Sequence, residues 1–266
     1  MKFIKRTLQI FLLLASLNCV GQGQSWYWYF GYGAGVNFPS GGAPVAVTNG
    51  QTNTLEGVAT ISDAAGNLLF YTDGSTVWNK LHAVMCNGTG LLGNGSSTQS
   101  GVIVPKPGSP NVYYLFSVAL YNGGFRYSEI DMNLCATNGS VTVKNFFLYQ
   151  NNSEKCTAVR HCNGTDIWVI SHDGATGFRS YLVTAAGVNT TPTVTNVGSN
   201  NPSPGIGYLK ASFNGAKLAY GVYINGFLEI LDFNNSTGVV SNPITINNAA
   251  FSQAYGVEFS SDNSKV

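Results

Sequence analysis

Charge is what this chain has least of. Only 9% of its 266 residues are Asp, Glu, Lys or Arg, against roughly a quarter in ordinary soluble domains. Solubility therefore rests on Asn, Ser, Thr and Gly, a habit of extracellular β proteins. The 13 basic and 12 acidic side chains nearly cancel, which leaves no electrostatic footprint for nucleic acid or an anionic membrane surface. Helical spacing is missing beyond the first 21 residues. No stretch of about ten residues repeats apolar side chains at i, i+3, i+4 and i+7. No apolar run approaches the roughly 20 residues of a membrane-spanning helix. There is no CxxC, and so no zinc pattern. The glycines of Gly31-Tyr32-Gly33-Ala34-Gly35 are followed by no helix and no basic residue, so they are not a phosphate-binding loop. No metal or cofactor is expected.

The first residues read as a signal peptide. Lys2, Lys5 and Arg6 form a basic n-region, residues 10–17 an apolar h-region, and Cys19 and Gly21 suit positions −3 and −1 of a cleavage site before Gln22. Residues 1–21 are thus expected to leave and 22–266 to form the mature chain, exported to the cell surface or medium, with the periplasm as alternative. Loss of the three n-region cations takes the 13 basic side chains to 10 against 12 acidic ones, a net charge of −2. Cys86, Cys135, Cys156 and Cys162 remain. In an oxidising compartment these permit two disulfides in three connectivities. Cys156 and Cys162 either pair or lie on one strand face.

Strand signals are dense. Runs of Val, Ile, Leu, Tyr and Phe at 68–72, 112–118, 167–171, 178–183, 218–224 and 227–233 are separated by Asn-Gly and Asp-Gly pairs. Such pairs tolerate the positive φ of tight hairpins. Asn225-Gly226 marks the cleanest hairpin. Asp73-Gly74 and Asp173-Gly174 read as type I′ turns, with Trp78 a core anchor beside the first. A repeat is also visible. Ser212 to Leu218 aligns with Ser260 to Val266 at an offset of 48, and Ser62 to Leu68 and Asn163 to Ile167 carry looser copies. Periods of about 40–50 residues with several strands each indicate propeller blades, which stack to bury faces that one blade leaves bare. The expected fold is all-β, a propeller of four-stranded antiparallel blades of the WD40 or YVTN kind. Copies starting near Gly57, Gln99, Thr157, Gly207 and Tyr255 give four blades and the start of a fifth, so the chain is expected to be a fragment of a longer one, the alternative being that the opening segment from Trp26 to Phe38 supplies the closing strands.

Few residues invite chemistry. Trp26-Tyr27-Trp28-Tyr29-Phe30 is either a sugar-stacking platform, with Trp26 and Trp28 as contacts, or a strand burying alternate rings. His161 and His172 could approach the mouth of a propeller. Ser171-His172-Asp173 has the residue types of a hydrolytic triad, but strand neighbours point to opposite faces. The same objection meets Cys162 beside His161. Glycoside hydrolysis needs two converging carboxylates. Most acids here sit in turns, Glu56 being the least turn-like. The function expected is non-enzymatic binding or scaffolding, toward a glycan or protein and with further domains of the same chain. The alternatives are a lectin-like propeller using the exposed aromatics and an extracellular polysaccharide hydrolase.

Several motifs together carry a resemblance. They are Trp28-Tyr29-Phe30-Gly31, Glu56-Gly57, Gly66-Asn67-Leu68-Leu69-Phe70-Tyr71-Thr72-Asp73-Gly74, Val77-Trp78-Asn79, Ser97-Thr98-Gln99-Ser100 and Val104-Pro105-Lys106-Pro107-Gly108. The chain resembles the N-terminal propeller region of large secreted or surface proteins of Bacteroidota. In that family such regions often precede PKD-type repeats and a gliding-motility-associated C-terminal domain that directs type IX secretion. The resemblance implies surface attachment and brings no catalytic residues. Neither a PKD repeat nor a sorting domain occurs in residues 22–266.

Overall fold

The computed structural model describes residues 23–119, 123–150, 153–199, 205–223, 226–248 and 253–266. The signal-peptide reading and the centres of the turns at Asn122 and Asn225 lie outside the described residues. Among the described residues, apart from a 3₁₀ turn at Gly23–Ser25, every named element is a strand, and all paired strands are antiparallel.

Five sheets follow one another along the chain. The first holds β1 (Tyr27–Phe30), β2 (Ala34–Asn37) and β3 (Val45–Val47). The second holds β4 (Ala59–Ser62), β5 (Leu68–Thr72) and β6 (Val77–Asn79). The third holds β7 (Gly101–Pro105), β8 (Val112–Val118), β9 (Phe125–Asp131) and β10 (Ser140–Tyr149). The fourth holds β11 (Cys156–Arg160), β12 (Ile167–His172), β13 (Gly177–Thr184), β14 (Gly187–Val188) and β15 (Thr193–Asn196). The fifth holds β16 (Leu209–Ala211), β17 (Lys217–Val222), β18 (Phe227–Asn234) and β19 (Val239–Asn247). First strands are neighbours in series: β1 lies by β4, β4 by β7, β7 by β11 and β11 by β16.

The core sits between sheets. In β12 all six residues are buried, because both faces of its sheet are covered. Ile167 and Val169 pack toward the third sheet with Phe116, Phe125 and Tyr181. Trp168 and Ile170 point the other way, toward Leu218, Tyr220 and Leu231 of the fifth. Period-two alternation thus feeds two cores at once, which is why this strand reads as an unbroken apolar run.

Four strands per sheet holds only for the third and fifth sheets. In the second, Asn79 turns the chain by accepting the N–H groups of Leu81 and Ala83. The return makes only an isolated bridge, Trp78 to Val84, before Cys86 crosses to Ser140. In the fourth, the place of one outer strand is shared by β14 and β15, both paired to β13. Pro192 interrupts the segment between them and has no N–H to offer a ladder.

The turns also differ from type I′. Positive φ falls on Gly74 and Gly174 but on neither Asp73 nor Asp173. Each aspartate instead caps the reversal: Asp73 Oδ1 accepts the N–H groups of Ser75 and Thr76, and Asp173 Oδ1 those of Ala175 and Gly177. The repeat is visible atom for atom. Ser212 Oγ binds Asn214 and accepts Lys217 N–H at 2.9 Å, and its own N–H reaches Lys217 O. Ser260, Asp262 and Lys265 reproduce all three contacts, although no strand flanks that second turn.

One disulfide forms, Cys86 to Cys135, across 49 positions. Cys156 and Cys162 do not pair. Cys156 opens β11, buried, and Cys162 is exposed in the turn beyond it. β11 alone spans about 13 Å from Cys156 to Arg160, and Cys162 lies beyond its far end, out of disulfide reach. Burial pushes the Cys156 thiol up to about 12, so it behaves as a core side chain.

Candidate binding site

The segments leading into the neighbouring first strands meet at one end of those strands. The joinery comes from Thr98, Gln99 and Ser100. Thr98 donates both its N–H and its hydroxyl to Glu154 Oε2 at 2.8 Å, and its hydroxyl accepts Gly207 N–H. Gln99 Oε1 accepts the N–H groups of Leu209 and Cys156, while its amide donates to Leu209 O. Ser100 Oγ donates to Gly57 O at 2.6 Å. Three successive polar side chains therefore tie the third sheet to the second, fourth and fifth. They add to backbone bonds between the same segments, Gly57 N–H to Ser97 O, Glu154 N–H to Gly205 O and Tyr208 N–H to Tyr255 O.

Behind this rim Lys155 is wholly buried, its ammonium donating to Gly205 O at 2.6 Å and Ile206 O at 2.8 Å. Burial lowers its pKa to about 7, despite the neighbouring Glu154 carboxylate. His172 is buried beside it, and burial and the Lys155 charge bring its pKa down to about 3. The neutral ring accepts Gly174 N–H at Nδ1 and packs against Phe178 and Tyr220. Glu56, at the rim itself, is exposed. Partial burial and the Glu154 charge raise its pKa, against a hydrogen bond from Tyr255 that lowers it. Tyr255 in turn meets Tyr208 and Tyr223 edge-to-face, at 6.0 and 5.8 Å.

Cavities that share Tyr208 and Lys210 open here. One of about 460 Å³ is lined by Trp28, Phe30, Glu56, Thr60, Tyr208 and Lys210, among others. Another, of about 260 Å³, shares Tyr208, Lys210 and Val58 with it and reaches Gln99 and Thr157. Trp28 is 56% exposed. Its indole N–H is anchored on Ser25 O at 2.8 Å and its ring leans on Phe38. One edge is thus fixed while a face stays open. Lys210 bonds Glu258 at 2.8 Å and lies over the Tyr208 ring.

The residues singled out in the sequence divide sharply. Trp28 and Glu56 come together in one cavity. Trp26 does not join them: its ring covers Gly66 so closely that a Cβ there would meet it at 1.9 Å. Trp78 is half-buried and stacks on Tyr71. His161 and His172 stand at opposite ends of β12, since His161 N–H bonds Asp166 O just before the strand and His172 closes it. His161 Nδ1 accepts Asn163 N–H, and its Nε2 contacts Ser236 O. Cys162 Sγ does approach His161 Nδ1, at 3.7 Å, because the two sit in a turn where strand alternation no longer applies. Ser171, His172 and Asp173 are engaged separately, Ser171 Oγ with the Tyr149 hydroxyl at 2.8 Å. Among the described residues no three His, Cys, Asp or Glu side chains converge as metal ligands, and no helix is long and apolar enough to cross a membrane. Glu154, Lys155 and Tyr208 carry no signal in the sequence, because they lie outside regular strands and any motif, and Tyr255 stands out there only as the start of a repeat copy.

No protein-family model matches the chain, and no curated protein matches it in sequence. Similar solved structures exist. A functionally unknown protein from Desulfotomaculum acetoxidans aligns at 12% identity over 88% of this chain and 70% of its own, with a TM-score of 0.48. An auxiliary nutrient binding protein from Bacteroides thetaiotaomicron aligns at 9% identity over 90% and 44%, TM-score 0.40. The periplasmic gluconolactonase of Pseudomonas aeruginosa aligns at 8% over 80% and 57%, TM-score 0.42. Neither identity nor TM-score is high enough for any of the three to bear on function.

Proposed function

We propose that this chain is a non-enzymatic binding module of an exported protein. Its sheets would be blades of a β-propeller and its ligand a hydroxyl-rich glycan seated at the mouth of the central space. The observation that carries this reading is the meeting of Trp28, Glu56, Tyr208 and Lys210 around one cavity of about 460 Å³. An open indole face stacks on a sugar ring, a carboxylate accepts its hydroxyls, and an ammonium donates to them. The blade reading is supported by first strands that neighbour one another in chain order. The repeated turn at Ser260–Lys265 supports residues 255–266 as the opening of a further blade. Export to the cell surface is supported by the n-region and h-region of residues 1–21. The bridge between Cys86 and Cys135 suits an oxidising compartment. The resemblance to propeller regions of Bacteroidota surface proteins fits the same picture.

Hydrolysis is the second reading, because Glu56 and Glu154 are close enough for one charge to raise the other's pKa. Binding is preferred. Glu154 is 3% exposed, and one of its oxygens is taken up by both donors of Thr98, a positioning role. A glycan array probed with wild-type protein and Trp28→Ala tests the proposal. Signal that disappears in the variant, with the oligosaccharide recovered intact, is the expected result. An empty array ends the glycan reading, and shortened oligosaccharide ends the non-enzymatic one.

A further inference from the structure

A different cavity, of about 550 Å³, lies at the far ends of the same first strands. Where the mouth is lined by the opening residues of β4, β7 and β11, this one is walled by their closing residues, Ile61, Val104, Pro105 and Val159, with Ile167 from β12. It is a cleft open to solvent, and its volume lies within the roughly 300–1,000 Å³ of small-molecule sites. Water in it is held by apolar walls and is displaced at a gain by an apolar group.

Two charges flank these walls, and only one is available. Asp63 spends its carboxylate on its own turn, accepting Ala65 N–H and Asn67 N–H at Oδ1 and the Asn67 amide at Oδ2, all at 2.9 Å. Arg160 is exposed and donates one bond, from Nη1 to Gly164 O at 3.1 Å. No ion pair engages it among the described residues. A guanidinium carries five donors in a fork that matches a carboxylate. The geometry points to a second binding site here, for a small amphipathic carboxylate: an aryl or alkyl body between Ile61, Val104 and Ile167, and an anionic head on Arg160. It lies at the opposite ends of the first strands from the mouth, meeting it only at Ala158, and does not depend on the glycan reading.

The probe is 3-phenylpropionate, followed by saturation-transfer NMR on the full chain, with 3-phenylpropionamide as its neutral twin. A ligand this small should bind in roughly the 0.1–10 mM range. Arg160→Gln, an exposed change, should weaken the acid about tenfold or more and leave the amide unaffected. Ala64→Trp, at the lip of the cavity, should abolish both. No binding up to about 20 mM overturns the proposal. So does binding that neither variant changes, which would put the ligand elsewhere. Loss in Ala64→Trp with indifference to Arg160→Gln overturns the carboxylate assignment. If Ala64→Trp fails to fold, the comparison of acid with amide in Arg160→Gln decides alone.

Discussion

Removing the Cys86–Cys135 bridge should cost about 2–4 kcal/mol of folding stability. The upper figure follows from topology. The bridge closes a loop of 49 residues containing all of β7, β8 and β9. At this length the entropy withheld from the unfolded chain is worth about 4 kcal/mol at 25 °C. The lower figure follows from the turn that holds Cys135. There Cys135, Ala136 and Thr137 all have positive φ, at 49°, 54° and 62°, a region costing roughly 1–2 kcal/mol for each residue with a Cβ. Reduction lets that turn relax and returns part of the loss. The neighbouring ladder limits the relaxation, since Val141 N–H bonds Cys86 O and the Asn87 amide bonds Val141 O. Urea unfolding of wild type and of the Cys86→Ser/Cys135→Ser double variant, each with and without dithiothreitol, measures the effect. The variant should unfold at lower urea with a steeper dependence, because its denatured chain is less compact. Reductant should move the wild type to the variant's curve and leave the variant unmoved. A wild type indifferent to reductant, or a double variant as stable as wild type, would refute the reasoning.

Two further outcomes are expected. Lys155 has its pKa lowered by burial from 10.5 to about 7, so the unfolded chain binds the extra proton between those values. Stability should rise by up to about 5 kcal/mol as pH climbs from about 7 to 10.5, and level off below 7, where both states hold the proton. Urea midpoints from pH 6 to 10 should show that rise, and Lys155→Met should flatten it. Gly66→Ala places a methyl group 1.9 Å from the Trp26 ring at a φ of +87°. It should lower stability by about 2 kcal/mol or more in a thermal melt, whereas Gly164→Ala, with open space at a φ of +76°, should show only the smaller backbone cost.

The architecture was legible wherever a physical cause repeats. β8, β12, β17 and β18 announce themselves because each must supply apolar side chains to a neighbouring sheet, and the turn Ser212–Lys217 because a serine with an Asn or Asp two residues on satisfies the same backbone groups in both copies. Strand number was not legible. Whether a fourth strand forms depends on single local events, the Asn79 turn in one sheet and Pro192 in another. The repeat-based count also passed over the opening aromatic segment, which builds a sheet of its own. Its Gly31 and Gly33, both at positive φ, turn β1 into β2 without leaving any trace of the 48-residue offset.

The candidate site was harder to read, because its members share neither a strand nor a period. Trp28 drew notice as an aromatic beside others, and Glu56 as an acid outside a turn. Nothing in the sequence says that residues 28, 56, 154, 208 and 255 arrive at one end of the molecule. That follows only once first strands stand side by side, for then every segment entering a sheet is carried to the same end and every segment leaving a first strand to the other. The two ends consequently differ in chemistry. Entry segments owe nothing to a ladder and can carry Glu56, Glu154, Lys155 and Tyr255 as polar joinery. The strands themselves must pack, and so close on Ile61, Val104 and Val159. A polar, aromatic mouth opposite an apolar pocket is therefore a consequence of how the sheets are strung together. On the proposed readings, residues that change glycan recognition should be sought where each sheet begins, those that change carboxylate binding where the first strands end, and those that change stability along the strands between.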